Sequence, residues 1–258
     1  MNAFPLTPAL SPSGGEGARR AGEGERAQCR DDASFAYGEP WLLLNSGPCA
    51  PAFNMALDEA LIEAVAGLGQ PVLRFYSWAE PAATFGYFQH YAEIERTTHL
   101  RPLIRRPTGG GLVPHDADWT YSVVVPPGHP WHALNAVDSY RRMHEWIRTA
   151  FARLGVATEV ADCCRKSTPG QCFVGWEKFD VLWQGRKIAG AAQRRNKLGL
   201  LIQGSVQPPP VGLKRSRWED AMCAEGSWKP LGAATNLAQR AKELAEEKFS
   251  RPDFNQRR

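Results

Sequence analysis

Two long stretches of this chain repeat apolar residues at helical spacing, and each is set among short β-prone runs. That alternation confines the fold to a sheet with helices packed against it. In PAFNMALDEALIEAVAGLG, residues 51–69, Met55, Ala56, Leu57, Ala60, Leu61, Ala64 and Val65 recur at helical spacing. Pro51 suits a first turn there, and Gly67 or Gly69 suits the stop. From about Val137 to Leu154, the set Tyr140, Met143, Ile147, Phe151 and Leu154 predicts a second amphipathic helix.

The runs between them read as strands. WLLLN begins at Trp41; VLRFYSW and ATFGYFQ follow, separated by a turn at Glu80 and Pro81. LIRR leads into the loop PTGGG, and TYSVVV ends at Pro126 and Pro127. FDVLW, the two-residue turn Gln184-Gly185 and KIAGAAQ predict a hairpin, with LGLLIQGSV as a further strand. The polar stretch from Ala161 to Gly170 reads as a loop. After Pro208–Pro210 the chain turns charged, and SRWEDAMCAEG and LAQRAKELAEEKF predict helices. The expected fold is α+β, with a mixed, largely antiparallel sheet and flanking helices.

The first 38 residues lack any apolar period and are rich in Gly, Ser, Glu and Arg, so a disordered N-terminal extension is expected over 1–38. A catalytic domain is expected over 39–212 and a helical C-terminal tail over 213–258, too short for a full second domain.

With 43% hydrophobic and 22% charged residues in 258, the chain falls in the soluble globular class. It has no run of the roughly 18 to 20 apolar residues that a membrane helix needs. Its start also lacks the basic and apolar regions of a signal peptide, so a cytoplasmic location and no membrane partner are expected. The net charge of +4 comes without a basic stripe interleaved with aromatics. That argues against nucleic acid, though it would suit an acidic protein partner. Cys29, Cys49, Cys163, Cys164, Cys172 and Cys223 form no paired C-x-x-C units, so no metal site is expected. The ordinary reading of each is a reduced, small, buried residue.

Three segments stand outside this patterning. In RRPTGGGLVPHD, residues 105–116, three consecutive glycines follow two arginines. A glycine run lets backbone N–H groups approach an anion or carbonyl oxygen, and Arg105 and Arg106 are suited to a phosphate or carboxylate. The plain alternative is a tight turn with surface arginines. In RKIAGAAQ, residues 186–193, Lys187 follows the hairpin turn and precedes small residues that would admit an acyl chain or nucleotide. Such a lysine can support charge developing on an acyl oxygen, or it can be a solvated edge-strand side chain. The third is Cys172, whose thiol a nearby ammonium such as Lys187 would activate; otherwise it is structural.

Together these segments resemble the lipoate-protein ligase A branch of the biotin and lipoate protein ligase superfamily. The RR-x-x-GGG-x-V-x-HD signature of that branch is matched at Arg105, Arg106, Gly109, Gly110, Gly111, Val113, His115 and Asp116. NMALDEAL, residues 54–61, is similar to its first helix, and LRFYSWAEPAATFGYFQ, residues 73–89, to its early strands. DVLWQGRKIAGAAQ, residues 180–193, resembles its lysine motif and carries over Asp180, Lys187, Gly190 and Gln193. The similarity runs from about Trp41 to Val206.

The resemblance implies a biotin/lipoate ligase-like catalytic domain and one of two chemistries. Octanoyltransferases of the branch pass octanoate from acyl carrier protein through a cysteine thioester to a lysine of a lipoyl domain or glycine-cleavage H protein, with no cofactor. Lipoate ligases use ATP and magnesium to form lipoyl-AMP. The spacing of Cys172 from Lys187 matches the transferases, which places that reading first; a non-catalytic acyl-binding relative is the third. One departure is that Gln203-Gly204-Ser205 stands where relatives commonly carry His-Gly-Ser or His-Gly-Thr.

Overall fold

Pro51 opens the first helix and Gly69 closes it in the left-handed conformation (φ 69°), its N–H reaching back to the carbonyl of Val65. The computed structural model describes residues 40–166, 175–232 and 235–258, and the elements below are counted among these. The N-terminal segment expected to be disordered lies outside them, as does Cys172.

In chain order, β1 (Trp41–Cys49) leads into α1 (Pro51–Leu68), β2 (Val72–Trp78) and β3 (Ala82–Phe85). Then come α2 (Tyr91–Thr97), β4 (Leu103–Arg105), β5 (Val113–His115) and β6 (Trp119–Val125). A short α3 (Pro130–Ala133) precedes α4 (Ala136–Arg153), whose first turn is capped by the Asn135 carboxamide accepting from the Asp138 N–H at 2.8 Å. Next are β7 (Glu159–Val160), β8 (Arg165–Lys166), β9 (Gly175–Trp176), β10 (Val181–Trp183), β11 (Arg186–Asn196) and β12 (Gly199–Val206). The chain closes with α5 (Arg215–Met222), β13 (Trp228–Pro230), α6 (Thr235–Leu244), a π-helical turn over Ala245–Phe249 and α7 (Pro252–Asn255).

Eight strands form the main sheet in the order β13-β1-β2-β6-β12-β11-β10-β7. β13 and β2 run parallel to β1, and every other pairing is antiparallel, so the sheet is mixed and largely antiparallel as expected. A second sheet, β4-β3-β5, lies apart from it. The β10–β11 hairpin turns at Gln184 (φ 51°) and Gly185 (φ 70°), the paired positive φ values of a two-residue turn that follows the strand twist.

Alternation along β6 and β12 divides the interior into two layers. Tyr121, Val123, Val125, Leu200 and Ile202 pack toward α4 and α5, with a tryptophan-rich cluster around Trp131, Trp146 and Trp218. Val124 and Leu201 face α1 and α6 instead. On this second face apolar residues give way to Thr120 and Ser122 on β6 and to Gln203 and Ser205 on β12, all buried. That polar interruption places the site.

Several details depart from the sequence reading. The strand expected over ATFGYFQ ends at Phe85, and the next residue, Gly86, packs against the glycine loop so closely that a Cβ there would lie 1.9 Å from the carbonyl oxygen of Gly110. β5 forms where no strand was expected, since Val113–His115 pairs with β3. The polar stretch read as a loop contributes β8 to a short ribbon with β9. The segment read as a helical tail also supplies β13, where Trp228 pairs with Trp41 at the sheet edge. No helix among the described residues is long and apolar enough to cross a membrane.

Candidate active site

A cleft opens on the α1 face of the sheet, with β11 and β12 on one side and the β3–β5 sheet on the other. Lys187 reaches it through an irregularity in the hairpin: Val181 pairs with Ala189 but Leu182 pairs with Lys187, so one extra residue is inserted in β11. Such a bulge re-aims side chains, and here Lys187 and Gly190, three apart, both line the cleft. A Cβ at position 190 would lie 2.5 Å from Lys187 Cε and 2.6 Å from Nζ, so only glycine leaves room for the ammonium.

The ammonium is nearly closed off from solvent and lies 2.8 Å from Asp180 Oδ2, whose side chain is fully buried. Asp180 is fixed by two further donors, the Tyr140 hydroxyl at 2.5 Å and the Glu177 N–H at 2.7 Å. Burial first, then the Asp180 charge, holds the Tyr140 hydroxyl well above its ordinary pKa, so it stays a donor. Beneath it on α4, burial pushes the imidazole of His144 down to about 4 and keeps it neutral. The solvated edge-strand alternative for Lys187 is thus not what the structure shows.

Opposite Lys187 runs a second polar chain. Arg106 donates from Nη1 to Thr84 Oγ1 at 2.9 Å, Thr84 Oγ1 lies 2.7 Å from His115 Nε2, and His115 Nδ1 lies 2.8 Å from Asp118 Oδ2. Thr120 and Ser205 donate hydroxyls to the same Asp118 oxygen at 3.0 and 2.7 Å. Burial raises the Asp118 pKa, but the His115 charge and the hydrogen bonds from His115, Ser205 and Thr120 outweigh it and hold the carboxyl below its ordinary value. His115 stacks on Trp78 with ring centroids 3.9 Å apart, which fixes its plane.

The floor is tied to α1 by a buried ion pair. Asp58 Oδ1 accepts from Arg74 at 2.7 Å and from Ser122 at 2.7 Å. Asp58 Oδ2 accepts from Gln203 Nε2 at 2.7 Å, and Gln203 Oε1 accepts from Thr108 in the glycine loop at 2.7 Å. Position 203 therefore bridges loop and helix.

Among the residues singled out from sequence, Arg106, Val113, His115, Lys187 and Gly190 come together around the cleft. Arg105 does not. Its buried guanidinium donates to the carbonyls of Phe254, Tyr87, Gln89 and Asn255, so it fastens the C-terminal segment rather than facing an anion. Burial, with Arg257 and Arg258 nearby, lowers it to about 10. Gln193 is likewise turned toward α4, bonded to Ser139 and Ala136. Asp116 is exposed in the bend after β5, and the carboxylate paired with His115 is Asp118.

Gly110 adopts φ 84°, while the carbonyls of Gly109 and Gly111 both accept from Arg106 at 2.8 Å, so the loop wraps that guanidinium. Asp180 acts behind the cleft, on Lys187. Of the cysteines among the described residues, Cys163 and Cys164 are exposed and Cys49 and Cys223 only partly buried, so none is the fully buried thiol that was expected.

Asp118, Thr84, Asp58 and Arg74 were missed. Their signal was present as polar residues interrupting apolar faces: Asn54 and Asp58 one helical turn apart on a buried face, and Arg74 within the run VLRFYSW.

Residues 50–207 match the family model described as lipoyl protein ligase A/B catalytic domain. Relatives include octanoyltransferase LipM of Geobacillus kaustophilus, 38% identical over 185 residues, and octanoyltransferase LipM of Bacillus cereus, 35% identical over 184 residues. Each match covers 65% of this chain and 65% of the relative, so the chain spans about 65% of the length of the curated relatives it matches. Among solved structures, a lipoate-protein ligase A bound with ATP superposes with a TM-score of 0.68 at 21% identity, covering 84% of this chain and 99% of that one. The bi-partite lipoate protein ligase of Thermoplasma acidophilum gives 0.62 at 20% identity, covering 84% and 96%. These two share the fold. The lysine set in its bulge, the arginine-wrapped glycine loop and the family match over most of the described residues lead to one assignment: the chain belongs to the lipoyl protein ligase A/B catalytic domain family.

Proposed function

We propose that this protein transfers an octanoyl group from acyl carrier protein, through a thioester on Cys172, to a lysine of a lipoyl domain or of glycine-cleavage H protein. The observation that carries the reading is the Lys187 ammonium, fixed by Asp180 and brought to the cleft beside Gly190. A preorganised cation at a nearly dry wall suits the oxygen of an acyl group as it becomes negative. The names of the LipM relatives support octanoyl as the group and transfer as the reaction.

Cys172 stands fifteen positions before Lys187, and β9, which begins three positions after it in sequence, lies against β11. The thiolate attacks the thioester carbonyl, Lys187 stabilises the oxyanion, and the carrier thiol departs. The acceptor amine then attacks the new thioester and the cysteine sulfur leaves. An amide is more stable than a thioester, so the exchange needs neither ATP nor metal.

The test is to mix the protein with octanoyl carrier protein, without ATP, and take an intact mass. An octanoyl adduct that is absent in Cys172→Ala supports the transferase. No adduct, together with ATP-dependent labelling of a lipoyl domain by free lipoate, overturns it in favour of a ligase.

A further inference from the structure

Beside the glycine loop, the turn after β3 closes on itself. The Gly86 N–H donates to Gln89 Oε1 at 2.9 Å, and the Gln89 N–H to the Gly86 carbonyl at 3.0 Å. The Tyr87 N–H donates to the Thr108 carbonyl at 2.9 Å, which joins the turn to the loop. Phe88 at its tip is 68% exposed. Two arginines from the segment after α7 lie on these rings. The Arg257 guanidinium is 3.9 Å from the centre of Tyr87, and that of Arg258 is 5.6 Å from the centre of Phe88. The Arg258 carbonyl accepts from the Tyr91 N–H at 2.8 Å, which fixes the segment against α2.

A third arginine comes from the cleft wall. Gln193 and Arg195 of β11 are bonded to Ser139 on α4, so strand alternation puts Arg194 on the opposite face, with Ala192, which lines the cleft. Arg194 comes near the same turn. The hydrogen bond from Arg257, with the charges of Arg257, Arg194 and Lys248, holds the Tyr87 hydroxyl below its ordinary pKa. Lys248 pairs with Glu59 and Arg251 with Asp253, but no carboxylate among the described residues pairs with Arg194, Arg257 or Arg258.

Arginines set on aromatic rings, one of them exposed, have the composition of a protein interface. Both partners of the octanoyl transfer are proteins, and charge separates them. The acceptor brings a lysine, a cation until it enters the cleft, which three arginines at the rim repel. The donor brings an acidic surface and a phosphodiester in the arm that holds the thioester, which they attract. We propose that Tyr87, Phe88, Arg194, Arg257 and Arg258 form the docking surface for the acidic acyl carrier protein, at the end of the cleft beside the glycine loop. The inference deepens the octanoyl-transfer reading and rests on it.

Two thioesters separate docking from chemistry: octanoyl carrier protein, and octanoyl-N-acetylcysteamine, which has neither protein nor charge. Adduct formation is followed by intact mass for wild type, the double variant Arg194→Glu, Arg257→Glu, the variant Phe88→Ala and, on the far side of the sheet, Arg217→Glu on α5. At low salt the double variant should load from carrier protein at least about 10-fold more slowly than wild type. That gap should narrow as salt is raised. Phe88→Ala should also load more slowly from carrier protein, and Arg217→Glu like wild type. All should load equally from the small thioester and, once loaded, discharge to a lipoyl domain no more slowly than wild type. Wild-type loading of the double variant from carrier protein, an equal slowing in Arg217→Glu or with the small thioester, or slowed discharge overturns the docking surface and leaves the transferase standing. An adduct on the wild type from the small thioester alone overturns it too. Absence of any adduct on the wild type from either thioester brings down the transferase reading and the docking surface with it.

Discussion

Gly190 owes its identity to Lys187: the space that a Cβ would fill at position 190 is occupied by the Cε and Nζ atoms of that lysine, 2.5 and 2.6 Å from where the Cβ would stand. Because the obstructing atoms belong to the flexible end of a side chain, Gly190→Ala should fold while displacing the ammonium. Octanoyl transfer to a lipoyl domain should fall about 100-fold, the usual cost of moving a catalytic group by about 1 Å. A wild-type rate with an unchanged melting temperature would remove Lys187 from the chemistry.

Replacing Lys187 by Met should act on two quantities. Loss of an oxyanion donor lowers transfer by about 10² to 10³. Leaving Asp180 buried without its cation costs about 3–5 kcal/mol. Adding Asp180→Asn should recover part of the stability, measured by urea denaturation, and none of the rate.

Arg105 offers the opposite separation. Four carbonyls depend on its planar guanidinium, and a lysine can serve three at most. Arg105→Lys should lose about 2–3 kcal/mol through an unsatisfied buried acceptor and the poorer fit. The transfer rate per folded molecule should be unchanged.

His144 predicts an acid-sensitive stability. Its folded pKa is lowered to about 4 by burial, against about 6.5 unfolded. Between these values the unfolded chain binds a proton that the folded one does not, so stability falls as pH drops from about 6.5 toward 4. The loss from this group approaches about 3 kcal/mol. Unfolding free energies from urea titrations, followed from pH 7 to 4, should fall by about 3 kcal/mol more for wild type than for His144→Phe.

Much of the architecture was legible because it rests on local chemistry. Pro51 and Gly69 bound a helix, Gln184-Gly185 closes a hairpin, and β6 and β12 each carry a short apolar run, Val123–Val125 and Leu200–Ile202. The placement of Arg105 was not, because Arg105 and Arg106 are equivalent in sequence until β4 sends one toward Tyr87 and Asn255 and the other toward Thr84. The same limit hid Asp118. Asp116 adjoins His115 in sequence, yet the bend after β5 exposes it and returns the later aspartate to the imidazole. β13 was missed because its pairing with Trp41 joins residues far apart in the chain.

Gln203 ties Thr108 of the glycine loop to Asp58 of α1 through one carboxamide, accepting on its oxygen and donating from its nitrogen. A carboxamide keeps that polarity at any pH the protein survives. An imidazole at the same position would gain a proton in mild acid, lose its acceptor and let go of the threonine hydroxyl. The glutamine therefore keeps its hold on the threonine hydroxyl of the loop independent of any proton of its own.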